Sequence, residues 1–174
     1  MQTIHQAIEA VIMELSDDSV MGRPVPPSKG IPTLKSGFYQ KASPMLTARF
    51  ERIGGWQDAT HGDWLAIDEM ELLWRDGGND ERIAAIVNNI GSAMGNWAND
   101  AGSLFRQDRL TVFAASRDTF ERIYLVWFDE VVEPELWVYD SNGESRYKNL
   151  LDYLIAYIDD DLSASTKRWR LGDL

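Results

Sequence analysis

The chain contains no cysteine, and only two of its 174 residues, His5 and His61, are histidine. Disulfides, thiolate nucleophiles, cysteine-ligated zinc and iron–sulfur clusters are therefore excluded. Positive charge is scarce as well: 17 Lys and Arg stand against 28 Asp and Glu, giving a net charge of −11. Phosphate contact needs clustered cations. The one basic cluster, Lys167, Arg168 and Arg170, is short, so no direct nucleic-acid binding is expected. No apolar run approaches the roughly 20 residues of a membrane span, and no membrane association is expected. The opening Met1-Gln-Thr-Ile-His lacks the basic and apolar regions of a signal peptide, which predicts a cytoplasmic protein. G-x-S-x-G, P-loop and G-x-G-x-x-G patterns are all missing. No catalytic residue, metal or cofactor is assigned, and the protein is read as a non-enzyme.

What is present is ordinary globular material: 44% hydrophobic and 26% charged residues, including seven Trp, enough for one core without metal or disulfide. Ile4, Ala7, Ile8, Val11, Ile12 and Leu15 fall at three- and four-residue steps and predict a helix over 2–16. Gly22-Arg-Pro-Val-Pro-Pro27 ends it, since three prolines in four positions cannot continue a helix. A second helix is predicted over 44–53, with Pro44 in its first turn and Gly54-Gly55 as its stop. Residues 64–74 read as a short strand running into a helix. Ile83, Ile86, Val87, Ile90, Met94 and Trp97 trace one face of a longer helix, despite Gly91 and Gly95.

The last third is the most legible. Arg109–Ser116 and Glu121–Phe128 are strand-length runs of β-branched and aromatic residues, and Leu136–Tyr139 is a third. Asp140-Ser-Asn-Gly143 has strong turn chemistry. Tyr147, Leu150, Leu151, Leu154 and Ile158 then predict a closing helix with Ser145 as its N-cap. The expected fold is α+β: a single domain over 1–174, with helices packed on a mainly antiparallel sheet and residues 170–174 as a flexible tail. Both faces of the 121–128 strand are apolar, which marks it as central.

This segment also carries the charge. Between Glu121 and Asp161 there are eleven acidic and three basic residues, so eight of the eleven net negative charges lie there. The connection after the second strand brings Asp129, Glu130, Glu133 and Glu135 together, and Trp137 and Tyr139, two apart on one strand, share a face beside it. Aromatics flanked by acids suit a basic protein partner, with rim charges steering and a ring anchoring. These six residues are the candidate protein-binding site. His5, a lone imidazole beside the apolar face of the first helix, is read as structural or solvent-facing. Asp159-Asp160-Asp161 is read as a solvated run ending a helix, where the dipole disfavours bound anions. Gln57-Asp-Ala-Thr-His-Gly-Asp63 is read as a surface loop. The competing possibility, a small hydrolase or ligand-binding enzyme, requires His61, Asp58 and Asp63 to converge.

Ile53-Gly-Gly-Trp56, the strand pair Leu110–Ala115 and Ile123–Phe128, Glu133-Pro-Glu-Leu-Trp-Val-Tyr-Asp140 and the closing Tyr147–Tyr157 segment together resemble the SUKH superfamily, which includes yeast regulators of cell-wall glucan synthesis. The resemblance implies an α+β fold and a non-enzymatic binding role. Bacterial members resemble immunity proteins that block a cognate secreted toxin, often a nuclease with a basic cleft, for which an acidic protein is a suitable plug. A regulatory or scaffold role in cell-wall synthesis is the alternative that the same resemblance implies.

Overall fold

The computed structural model describes residues 1–15, 20–91 and 106–161. Ala7, Ile8, Val11 and Ile12 are the buried stripe of α1 (Ile4–Leu15), and His5 beside them is exposed. A two-residue strand β1 (Val20–Met21) follows. The proline-rich stretch leads through a turn, closed by Gly30 N–H donating to the Pro27 carbonyl, into a small ribbon, β2 (Ile31–Pro32) paired with β3 (Tyr39–Gln40). α2 (Pro44–Arg52) begins where expected: Pro44 occupies the first turn and the Ser43 hydroxyl accepts from Leu46 N–H. Next come β4 (Trp56–Gln57), β5 (Asp63–Trp64), α3 (Ile67–Leu72) and α4 (Glu81–Gly91). Met94, Gly95 and Trp97 of the predicted longer helix lie outside the described residues, as do the 170–174 tail and the 167–170 basic cluster.

β6 (Leu110–Ala115), β7 (Arg122–Val126) and β8 (Glu135–Asp140) are the three predicted strands, and all five residues of β7 are buried. A fourth strand, β9 (Gly143–Tyr147), folds back on β8 across the predicted turn. The helix α5 (Leu150–Ile158) therefore starts later than expected. Ser145 is not its cap: it lies buried in β9 opposite Val138, and Asn149 caps instead, accepting from Asp152 N–H at 2.9 Å. Seven strands make one antiparallel sheet in the order β1-β4-β5-β6-β7-β8-β9. α5 packs on β8 and β9, and on α1 and α2, which gives the single α+β domain its helical layer.

Two features fix the segment between α2 and α3. Arg49 on α2 is fully buried and donates to the carbonyls of Ile53 (2.6 Å), Gly54 (2.9 Å) and Leu65 (3.0 Å). Burial pulls its pKa down to about 9, so it remains charged at neutral pH while tying three backbone acceptors to the helix. Gly62 takes φ +100°, and a Cβ there would sit 2.3 Å from the Ala115 carbonyl carbon. Only glycine lets the β4–β5 hairpin approach β6 this closely.

Candidate functional site

Asp129 and Glu130 open the connection between β7 and β8, and both are exposed. The Asp129 carboxylate accepts from Arg109 Nη2 at 2.7 Å, and Glu130 adopts the left-handed φ of +63° that turns the chain back. Glu133 points inward: its Oε1 accepts from the backbone N–H of Met45 at 3.0 Å, in the first turn of α2. This bond ties the loop to the helix, and a carboxylate is well placed there against the helix dipole.

The other expected binding residues sit differently. Glu135 is 1% exposed and Trp137 0%, so neither is a surface group. The Trp137 indole donates to Glu135 Oε2 at 2.9 Å, and the Arg146 guanidinium lies 4.1 Å from its ring centroid. Register explains the burial: Trp137 stands between Tyr124 on β7 and Arg146 on β9, inside a sheet that the sequence expectation had ending at β8. Tyr139 is half-buried, stacked at 4.4 Å on Arg122 and edge-on to Tyr124. Burial, reinforced by Glu144, pushes its hydroxyl pKa far above the ordinary tyrosine value. The expected aromatic anchor on an open sheet face is thus corrected: Trp137 is core, and Tyr139 is only partly accessible.

A different aromatic meets the acidic loop. Trp127, just past β7, lines a cleft of about 580 Å³ between the loop and the start of α2. Pro44, Thr47, Ala48 and Glu51 form the helical wall, and Val131 and Val132 the loop wall. A second cleft of about 190 Å³ shares Gln40, Trp127 and Val131 and extends to Asp108, Arg109 and Asp129. Trp127 is 6% exposed, and its indole N–H has no hydrogen-bond partner among the described residues. Val132, at the lip, is 69% exposed. The sequence carried a signal for this cleft in Trp127-Phe-Asp-Glu-Val-Val132, where large apolar residues interrupt a charged loop.

His61 is likewise relocated. It is 6% exposed and held in a buried polar chain, because α5 and the end of β8 close over the hairpin that carries it. Its Nε2 lies 3.0 Å from Asp140 Oδ2 and its Nδ1 2.6 Å from Tyr153 Oη. Tyr153 Oη is 2.6 Å from Thr60 Oγ1, which accepts from Trp64 Nε1 at 2.8 Å. Burial lowers the His61 pKa below its ordinary value and outweighs the opposing pull of Asp140. Asp58 and Asp63 do not join it. They converge on Arg117, at 3.1 Å each, and Asp63 also takes Arg82 at 2.9 Å. The convergence that a His61, Asp58 and Asp63 site requires is therefore not formed. Among the described residues, no three His, Asp or Glu side chains gather as a metal-binding group. The described helices include none long and apolar enough to cross a membrane. Asp159, Asp160 and Asp161 are exposed at the end of α5, as expected.

Compared with known proteins, the chain matches no family model, no curated protein and no solved structure.

Proposed function

We propose that this chain is a non-enzymatic binding domain that takes a basic protein partner on its acidic β7–β8 loop, in the manner of the SUKH-type immunity proteins it resembles, and that the partner is a secreted toxin with a basic, nuclease-like active surface. The observation that carries this reading is the loop itself. Asp129 and Glu130 are exposed on a connection braced by Glu133 at the start of α2, within a segment holding eight of the chain's eleven net negative charges. A charged loop on a rigid mount steers a partner of opposite sign and loses little entropy on docking. The chemistry of His61 supports a binding role over a catalytic one. Its imidazole lies in a closed polar chain, and neither cleft beside the loop is lined by it.

Where a secreted-toxin gene flanks this one, the test uses its product, purified with an inactivating substitution. Stopped-flow association with the wild-type chain should be fast at low salt and slow steeply as salt rises. Asp129→Lys with Glu130→Lys should reduce the low-salt rate about 10-fold and flatten that dependence. Co-expression with the active toxin should restore growth with the wild-type chain and less well with the double variant. Unchanged association by the double variant at low salt would remove the loop as the interface. Absence of both binding and rescue would remove the immunity role.

A further inference from the structure

The chain holds a single Asn-Gly pair, Asn142-Gly143, and the fold sets it at the tip of the turn between β8 and β9, where both residues are exposed. The pair that suits the turn also brings an electrophile and a nucleophile together. A bond from the Gly143 amide nitrogen to Asn142 Cγ closes a five-membered ring, and Gly143 has no Cβ to crowd the approach. Every other asparagine precedes a residue with a side chain. Among the described ones, Asn88 and Asn89 lie within α4, and Asn149 is engaged as the cap of α5.

This turn is tied to the buried His61 chain through one carboxylate. Asp140 Oδ1 accepts from the Asn142 backbone N–H at 2.8 Å, while Oδ2 lies 3.0 Å from His61 Nε2. Asp140 pairs with Gly143 across only two turn residues, and a turn this short fixes the register of the hairpin.

We propose that Asn142 is a site of spontaneous deamidation, and that its isoaspartate form loosens the hold of Asp140 on His61. Solvent hydroxide takes the Gly143 amide proton. The nitrogen attacks Asn142 Cγ, the carboxamide C–N bond breaks, and ammonia leaves. Water then opens the cyclic imide. Cleavage between the ring nitrogen and Cγ gives aspartate. Cleavage between that nitrogen and the Asn142 main-chain carbonyl carbon gives isoaspartate, whose backbone runs through Cβ and Cγ. One water is consumed and one ammonia released, with no oxidant or reductant. Both products add a negative charge at the exposed tip. Isoaspartate also inserts a methylene into the main chain between Asp140 and Gly143. The turn then no longer fits the span it closes, the Asn142 N–H is drawn off Asp140 Oδ1, and the carboxylate loses the contact that orients it toward His61. The site and its effect are independent of the proposed partner.

The test ages the folded full chain at 37 °C and several pH values, and maps its peptides by mass spectrometry with fragmentation that separates isoaspartate from aspartate. The Asn142 peptide should convert before any other asparagine peptide, and faster as pH rises, since the step needs the Gly143 proton removed. Asn142→Gln, whose longer side chain cannot close a five-membered ring, should lose the conversion. The isolated isoaspartate form should show shifted His61 imidazole resonances by NMR. Asn142→Asp, which adds the charge but keeps the ordinary backbone, should shift them less. No conversion at Asn142 in the folded chain, when the same chain converts in concentrated urea, would overturn the site. Earlier conversion at another asparagine would overturn it too. An isoaspartate form whose His61 resonances match those of Asn142→Asp would overturn the link to Asp140.

Discussion

His61 illustrates how one buried residue orders its neighbours. With the imidazole neutral, Asp140 takes the Nε2 proton, so Nδ1 must accept, and it accepts from the Tyr153 hydroxyl. The Tyr153 oxygen also lies 2.6 Å from Thr60 Oγ1, which accepts the Trp64 N–H, so the imidazole, phenol, hydroxyl and indole form one continuous buried chain ending at Asp140. Protonating His61 places a proton on Nδ1, which the Tyr153 oxygen then accepts, and the Tyr153 hydroxyl donates to Thr60 Oγ1. The charged groups facing the ring are Asp140 directly and Glu121 at longer range, with Tyr153 and Tyr157 against its faces. Since the folded pKa is lowered, the unfolded chain binds this proton more readily. His61 therefore costs nothing well above pH 6.5 and destabilises increasingly as pH falls below it, toward the folded value. Urea titrations from pH 7.5 to 5.5 should show the wild type losing more stability than His61→Gln over the same interval. Equal losses would mean that the imidazole does not titrate between the two states. Tyr153→Phe should cost about 1–3 kcal/mol at pH 7.5, because it strands His61 Nδ1 and the Thr60 hydroxyl in a buried setting. A smaller loss would indicate that water replaces the phenol.

At the scale of elements, legibility followed the strength of the periodic signal. α1, α2, β6, β7 and β8 each combine a clear period with a decisive stop, and their bounds fall within a few residues of those expected. β9 was hidden because Gly143-Glu-Ser-Arg-Tyr147 reads as a polar turn. Its strand character comes from pairing with β8, and Arg146 is buried against Trp137 rather than exposed. The missed strand displaced the helix cap from Ser145 to Asn149. Asn149→Ala should then cost about 1 kcal/mol in a urea melt, by the loss of one capping acceptor. Ser145→Ala has no cap to lose, and a capping role for Ser145 would be restored if the two losses were reversed. The candidate site was partly legible for a related reason. Alternation tells which residues of a strand share a face, and it placed Trp137 and Tyr139 together. It does not tell whether that face is covered, which depends on the neighbouring strands. Local sequence also gave His61 a loop, but its burial is decided by Asp140 and Tyr153, 79 and 92 residues away along the chain.

The whole molecule carries a field as well as contacts, and the acidic segment allows the two to be separated. Asp129→Lys with Glu130→Lys, and Glu133→Lys with Glu135→Lys, each shift the net charge from −11 to −7. If the field alone governed stability, both pairs would relieve the same self-repulsion and behave alike, with the benefit shrinking as salt screens it. The contacts predict otherwise. Asp129 and Glu130 are exposed, and the Arg109–Asp129 ion pair is a surface pair worth about 0–1 kcal/mol, so the first double variant should unfold within about 1 kcal/mol of wild type at low salt. Glu133 holds the first turn of α2, and Glu135 is buried where it accepts the Trp137 indole N–H; a lysine at 135 would bury a cation facing that donor. That variant should lose about 3–5 kcal/mol, the scale for a disrupted buried charge, and added salt should recover little of it. Parallel urea melts at 50 mM and 500 mM NaCl distinguish the two accounts. Near-equal stability of the two variants would mean that Glu135 is not embedded as described. A wide gap that persists in high salt would assign the inner pair of carboxylates to the fold and leave the outer pair with no structural duty beyond a surface ion pair.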